Sequence, residues 1–200
     1  IEIREPMSKN PNPQGKGGAP VLATLEAQRA AVAAVPPKHI EQVSTELFTS
    51  LFVLESDFRF RPVPGKRYYL YRKPERYWLS MIPPQEWGGG EAVTGRFIGA
   101  CELQPDMTWT LELDEAVAAD DAFMNELAER RAAFERQLGD VEAVDDVLPV
   151  HERRFTFYRR AFAFALAHSL GRSMEQSGIA GLSYEEAQGR LAHESGEADR

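Results

Sequence analysis

Between residues 38 and 56, Ile40, Val43, Leu47, Leu51 and Leu54 recur at intervals of three and four, with Phe48 and Phe52 beside them. That spacing predicts an amphipathic helix. Its Ser and Thr at 44, 45, 49 and 50 are mediocre helix formers, so packing must hold it more than propensity does. An earlier helix is predicted from Pro20 to about Val35. It carries Val21, Leu25, Gln28 and Val32 on one face and is stopped by Pro36-Pro37, since proline breaks the helical ladder.

The period changes after residue 60. Arg67–Arg72 and Arg76–Ile82 are short, aromatic-rich runs around Lys73-Pro74-Glu75, the signal of a β-hairpin. A second hairpin joins 96–104 to 107–113 through a turn centred on Pro105-Asp106. Alternation points Met107, Trp109, Leu111 and Leu113 to one face and Thr108, Thr110 and Glu112 to the other. In the partner strand it groups Phe97, Gly99, Cys101 and Leu103. The first two strands are apolar on both faces, so either a helix covers the second face or that face binds something.

The rest reads as helix. Residues 114–138 form one, with a break suggested at Asp120-Asp121 and Gly139 as its left-handed cap. An acidic linker leads to a helix over about 150–177. Phe155, Tyr158, Phe162, Leu166, Leu170 and Met174 mark one face of it, and Phe157, Ala161 and Phe164 a second. Apolar on two sides, it is expected to be central to the core or clamped between partners. Gly178 with Ile179 suits a Schellman ending. Ser183 and Glu186 are spaced as a capping box for a last helix, 184–194. The fold class expected is therefore α+β, with a small antiparallel sheet of two hairpins, about four strands, flanked by N-terminal and C-terminal helices. Three parts are read: a flexible arm at 1–19, rich in Pro, Gly and Asn; helices plus sheet at 20–114; and a helical part at 115–200 packed on the same core.

Composition adds modest constraints. Apolar residues make up 43% and charged residues 27% of 200, ordinary globular usage. The net charge of −8 argues against a general nucleic-acid or anionic-membrane binder. A single cysteine, Cys101, permits no intrachain disulfide and fits a reducing, cytoplasmic setting. No run is long enough to span a bilayer. The sequence opens with Ile, and Met7 reads as the native start.

Pro64-Gly65 with Tyr68-Tyr-Leu-Tyr-Arg72, Ile82-Pro-Pro-Gln-Glu-Trp-Gly88, Phe97-Ile-Gly-Ala100 and Leu103-Gln-Pro-Asp-Met-Thr-Trp-Thr110 follow one another in order. Together they resemble domain-of-unknown-function family 2452, over about residues 38–114. The family has no activity attached to it, so the resemblance implies no catalytic or binding residue, and it leaves the helices after about 115 unaddressed.

Motifs for chemistry do not assemble. His39, His151, His168 and His193 lack zinc-ligand spacing. Gly-Lys-Gly-Gly at 15–18 lacks the phosphate-loop pattern. Gly181-Leu-Ser183 lacks the closing glycine of a nucleophile elbow. Cys101 falls on an apolar strand face, where a thiol is inert. Acidic pairs at 114–115, 120–121 and 145–146 suit helix starts better than a calcium loop. No catalytic residue, metal ligand or cofactor is expected. Charge, however, is uneven. Residues 57–77 carry seven basic against two acidic side chains, a net of +5, and residues 112–146 a net of −9. The candidate binding surface is therefore 66–90, with Arg72, Arg76, Tyr77 and Trp87 as contacts. Trp87, beside three glycines, reads as a recognition anchor or as a plug closing its loop onto the sheet. The expected function is a non-enzymatic protein-interaction or regulatory module with a protein partner. The alternatives are a nucleic-acid-associated protein using the basic aromatic hairpin as a stacking platform, or an enzyme or small-molecule binder whose pocket is scattered in sequence.

Overall fold

The computed structural model describes residues 35–150 and 153–197, those from 191 onward by their backbone alone. The arm at 1–19 and the helix expected at 20–35 lie outside the described residues up to Val35, as does His151.

Helix α1 spans Ile40–Leu54. Strands β1 (Arg67–Lys73), β2 (Arg76–Ser80), β3 (Arg96–Leu103) and β4 (Trp109–Leu113) follow, with a short helix α2 (Glu91–Thr94) between β2 and β3. Helices α3 (Glu115–Ala118), α4 (Asp121–Asp140), α5 (Phe157–Ser177) and α6 (Tyr184–Glu197) complete the chain. The four strands form one antiparallel sheet in the order β2-β1-β3-β4, built from two hairpins. The α+β class is as the patterning requires.

Helix α1 lies across one face of the sheet, the inner face. Its Ser50 Oγ accepts a hydrogen bond from the Trp109 N–H at 2.9 Å, and its Phe52 ring meets Tyr77 of β2 edge-on at 5.1 Å. Helix α5 also packs on α1, which touches α4 and α6 as well. The central helix is thus α1, where two-sided apolarity pointed to 150–177. The reason lies in the small hydroxyls: Ser44 and Ser50 are buried, and a serine reads as polar in a pattern although its small side chain can be buried in close packing. One core runs from Ile40 through the sheet to Phe162, Leu166, Leu170, Met174 and Ala187.

Helix α5 begins at Phe157, several residues later than its pattern suggests, and only one of its sides is buried. Tyr158 is 44% exposed, with Phe157 and Phe164 also at the surface. Tyr158, Phe162, Leu166, Leu170 and Met174 are each four apart. Tyr158 lies in the first turn of the helix, ahead of its buried stretch, which begins at Phe162. The Schellman ending is present. Gly178 is left-handed (φ 65°), Ile179 N–H donates to Met174 at 3.0 Å, and Gly178 N–H donates to Glu175 at 3.1 Å. Ser183 and Glu186 form their capping box.

Two other details depart from the patterning. Gly139 stays inside α4, which runs on to Asp140. The helix ends instead at Asp140, where Val141 turns extended (φ −86°, ψ 153°), and a separate 3-10 turn at Val144–Val147 follows, whose buried Val144 N–H donates to the Leu182 carbonyl at 2.9 Å. The break at 120–121 is real. Asp120 accepts from the N–H groups of Ala122 and Phe123 and so starts a new helix. In β3, a bulge changes the faces. Leu70 pairs with Gly99 but Tyr71 with Phe97, leaving Ile98 as an extra residue. Ile98 enters the core, and Phe97 turns to the opposite face from Cys101 and Leu103.

Candidate functional site

The outer face of the sheet has no helix of the main bundle on it. Cross-strand register places Tyr71 opposite Trp78 and, through the bulge, opposite Phe97. Their rings touch: Tyr71 stacks on Trp78 at 4.9 Å and tilts against Phe97 at 5.5 Å, while Tyr69 reaches Phe97 at 6.3 Å. The loop 81–95 folds back onto this cluster. Trp87 meets Trp78 edge-on at 5.8 Å. Hydrogen bonds tie the loop down: Trp78 Nε1 donates to the Thr94 carbonyl at 2.8 Å, and the Tyr71 hydroxyl and Trp87 Nε1 both donate to the Ile82 carbonyl, at 3.0 and 3.2 Å. Burial raises the Tyr71 hydroxyl above its ordinary pKa, a shift that its contact with Trp87 partly offsets. Trp87 therefore closes its loop onto the sheet, yet it stays half-buried. Around it Met81 is 63% exposed and Val93 50%, with Ile82 also at the surface. Lys73 sits over the Trp78 ring at 5.9 Å.

Tyr77 and Arg72 belong elsewhere. They pair across β1 and β2 on the inner face, at its edge against α1 and α4. Arg72 and Arg130 flank the Tyr77 ring at 5.4 and 5.6 Å, and Glu126 of α4 bridges both guanidinium groups at 2.8 and 3.4 Å. Burial raises the Tyr77 pKa, and the Arg72 charge opposes the rise. Arg76 is at the β1–β2 turn, exposed, with Asp57 3.4 Å away. Of the four expected contacts, the fold brings Arg72 and Tyr77 together, sets Arg76 at the rim and puts Trp87 on the other face. The basic hairpin is met by carboxylates of its own chain: Arg67 by Glu112, Arg72 by Glu126, Arg76 by Asp57, and nearby Arg96 by Asp120.

A constellation not read from the sequence joins Lys38, Glu46 and Asp106. The Lys38 ammonium is buried (4% exposed) and bonded to Glu46 and, at 2.5 Å, to Asp106. The three residues lie 68 positions apart at the extremes, so no local spacing could reveal them. Burial would push the Asp106 carboxyl up, but Lys38 and the Thr108 hydroxyl outweigh it and hold it below its ordinary value. They line a cleft of about 550 Å³ with Gln42, Gln104 and Thr110. Cys101 is buried, which raises its thiol far above the reactive range. Asp114 and Asp120 cap helices. Among the described residues no three His, Cys, Asp or Glu side chains are grouped to hold a metal, and no helix is long and apolar enough to cross a membrane.

Fold and surface define the chain as an α+β protein with a helix-covered sheet face and an aromatic, loop-closed face behind it. Residues 38–129, just under half of the chain, match the family model described as Protein of unknown function (DUF2452). This is the family that the motif blocks resemble, and the match runs past residue 114 into α4. No solved structure matches the chain.

Proposed function

We propose that this chain is a non-enzymatic protein-interaction module of the cytoplasm that docks a partner protein on the outer face of its sheet. One observation carries the reading. A sheet with a single helix-covered face ordinarily carries polar side chains on the other, whereas here that face holds Tyr69, Tyr71, Trp78, Trp87 and Phe97 with an exposed apolar rim of Met81, Ile82 and Val93. Trp, Tyr and Met are the residues that interface centres favour. A protein ligand is favoured over nucleic acid because the hairpin's arginines are matched by carboxylates of the same chain, and because the rings pack on one another instead of presenting open faces for bases.

The test is affinity capture from the native cell using the full chain and a Met81→Ser/Val93→Ser double variant, each with and without nuclease. The wild type is expected to retain a partner that the variant loses, at melting temperatures within about 2 °C of each other. Equal capture by both proteins would refute the surface. Capture that disappears on nuclease treatment would transfer the reading to nucleic acid.

A further inference from the structure

We propose that a second feature, the groove between α1, β4 and α4, binds a small amphipathic anion: an apolar chain ending in a carboxylate. The groove lies on the helix-covered face, independent of the docking surface above. Its walls are Phe48 and Phe52 of α1, Leu111 and Leu113 of β4, and Met124 and Leu127 of α4. The two leucines are the inward residues of an edge strand, and α4 stands far enough from them to leave about 330 Å³ of space. At roughly 30 Å³ per water-sized group, that accommodates a chain of about eight to ten carbons. Ligand pockets have this character: several hundred Å³, mostly apolar and aromatic, with few polar groups to fix orientation.

Charge sets the ligand's head. Among the described residues, Arg131 is the one ionisable side chain lining the groove. Its guanidinium lies over the Phe48 ring at 5.4 Å, which fixes its plane beside the apolar wall. Of its five N–H groups, Nε donates to Glu135 at 2.7 Å and one on Nη2 to Thr45 at 3.0 Å. The guanidinium thus keeps donor capacity beyond these two contacts for a carboxylate. Glu135 offsets part of its charge, so the head contributes to affinity and selectivity while the chain's burial supplies most of the binding. Thr49 lines the same groove, but its hydroxyl already donates to the Thr45 carbonyl at 2.9 Å, which leaves Arg131 as the polar selector.

The experiment titrates octanoate and 1-octanol separately into the full chain with labelled methionine methyl groups, following the Met124 signal by NMR. Octanoate is expected to move it saturably and to bind at least tenfold more tightly than octanol. Arg131→Met is expected to remove that preference while leaving octanol binding intact. Leu127→Trp, which fills the groove, should abolish both. Ala128→Phe narrows the mouth from an exposed helix position and serves the same purpose if Leu127→Trp fails to fold. The proposal is overturned if Met124 shows no saturable shift, if octanol binds as well as octanoate, or if both groove-filling variants bind normally. It is likewise overturned if the wild type self-associates with concentration and the filling variants do not, since a second copy would then be the occupant.

Discussion

Met107 has a backbone φ of 68° and a buried side chain. It follows a turn in which Met107 N–H donates to the Gln104 carbonyl at 3.0 Å, while Gln104 N–H donates to Thr108 at 2.8 Å. That is a three-residue hairpin loop whose last residue is left-handed, a position usually given to glycine. A non-glycine residue there costs about 1–3 kcal/mol, but removing a buried methionine side chain costs about 2–5 kcal/mol. Met107→Gly is therefore expected to lower stability by roughly 1–2 kcal/mol net, read from the urea midpoint. Gly99 is constrained differently. An added Cβ would run into the Glu112 carbonyl of β4, so Gly99→Ala should cost about 2 kcal/mol or more by overpacking. Asp106 gives a pH test. Its carboxyl is held below its ordinary value by Lys38 and Thr108 against the opposing effect of burial. A depressed folded pKa adds stability that is full above the unfolded value of about 3.9 and is lost as pH falls from there through the lower, folded value. Wild-type melting temperature should then fall more steeply from pH 5 to 3 than that of Asp106→Asn, which starts lower at pH 7 because Lys38 has lost a partner. Parallel curves would remove the Lys38–Asp106 pair from the stability of the fold.

At the scale of the element, α5 provides a direct contrast. Phe162 and Leu166 are buried where the helix meets α1, whereas Tyr158, one turn before Phe162, faces solvent. Phe162→Ala should lower the melting temperature by roughly 6 °C or more, from a core loss of about 3–5 kcal/mol at 2–4 °C each. Tyr158→Ala should shift it by under about 2 °C. Equal effects would place the α5 contact elsewhere than on this face. Across the sheet, Glu126 joins Arg72 and Arg130 around Tyr77, but partly exposed ion pairs contribute little. The ring packed on Phe52 is expected to matter more than the charges that frame it.

The described residues share one core, and much of it lies beyond the family-matching segment. Phe162, Leu166, Leu170, Met174 and Ala187 all follow residue 129, and α5 covers one side of α1. A fragment of residues 35–130 would expose that side and is expected to lack a cooperative thermal transition. Cooperative unfolding of the fragment at a midpoint near that of the full chain would show two independent cores instead.

The order and type of the longer described elements were legible in local sequence, while the short helix Glu91–Thr94 was not. Periods of two and of three to four marked the strands and helices, Pro105-Asp106 marked the turn, and Asp120, Gly178 and Ser183-Glu186 marked helix ends, because each of these signals acts within a few residues. Only tertiary structure decided which helix is central, since buried serines read as polar in the pattern and an apolar stripe does not say how much of its length is covered until helices pack. It decided the face of Phe97, because one extra residue in a strand reverses the alternation. It separated Trp87 from Arg72 and Tyr77 and brought Lys38 to Asp106, since sheet faces and contacts between distant segments are set by how the chain folds back on itself.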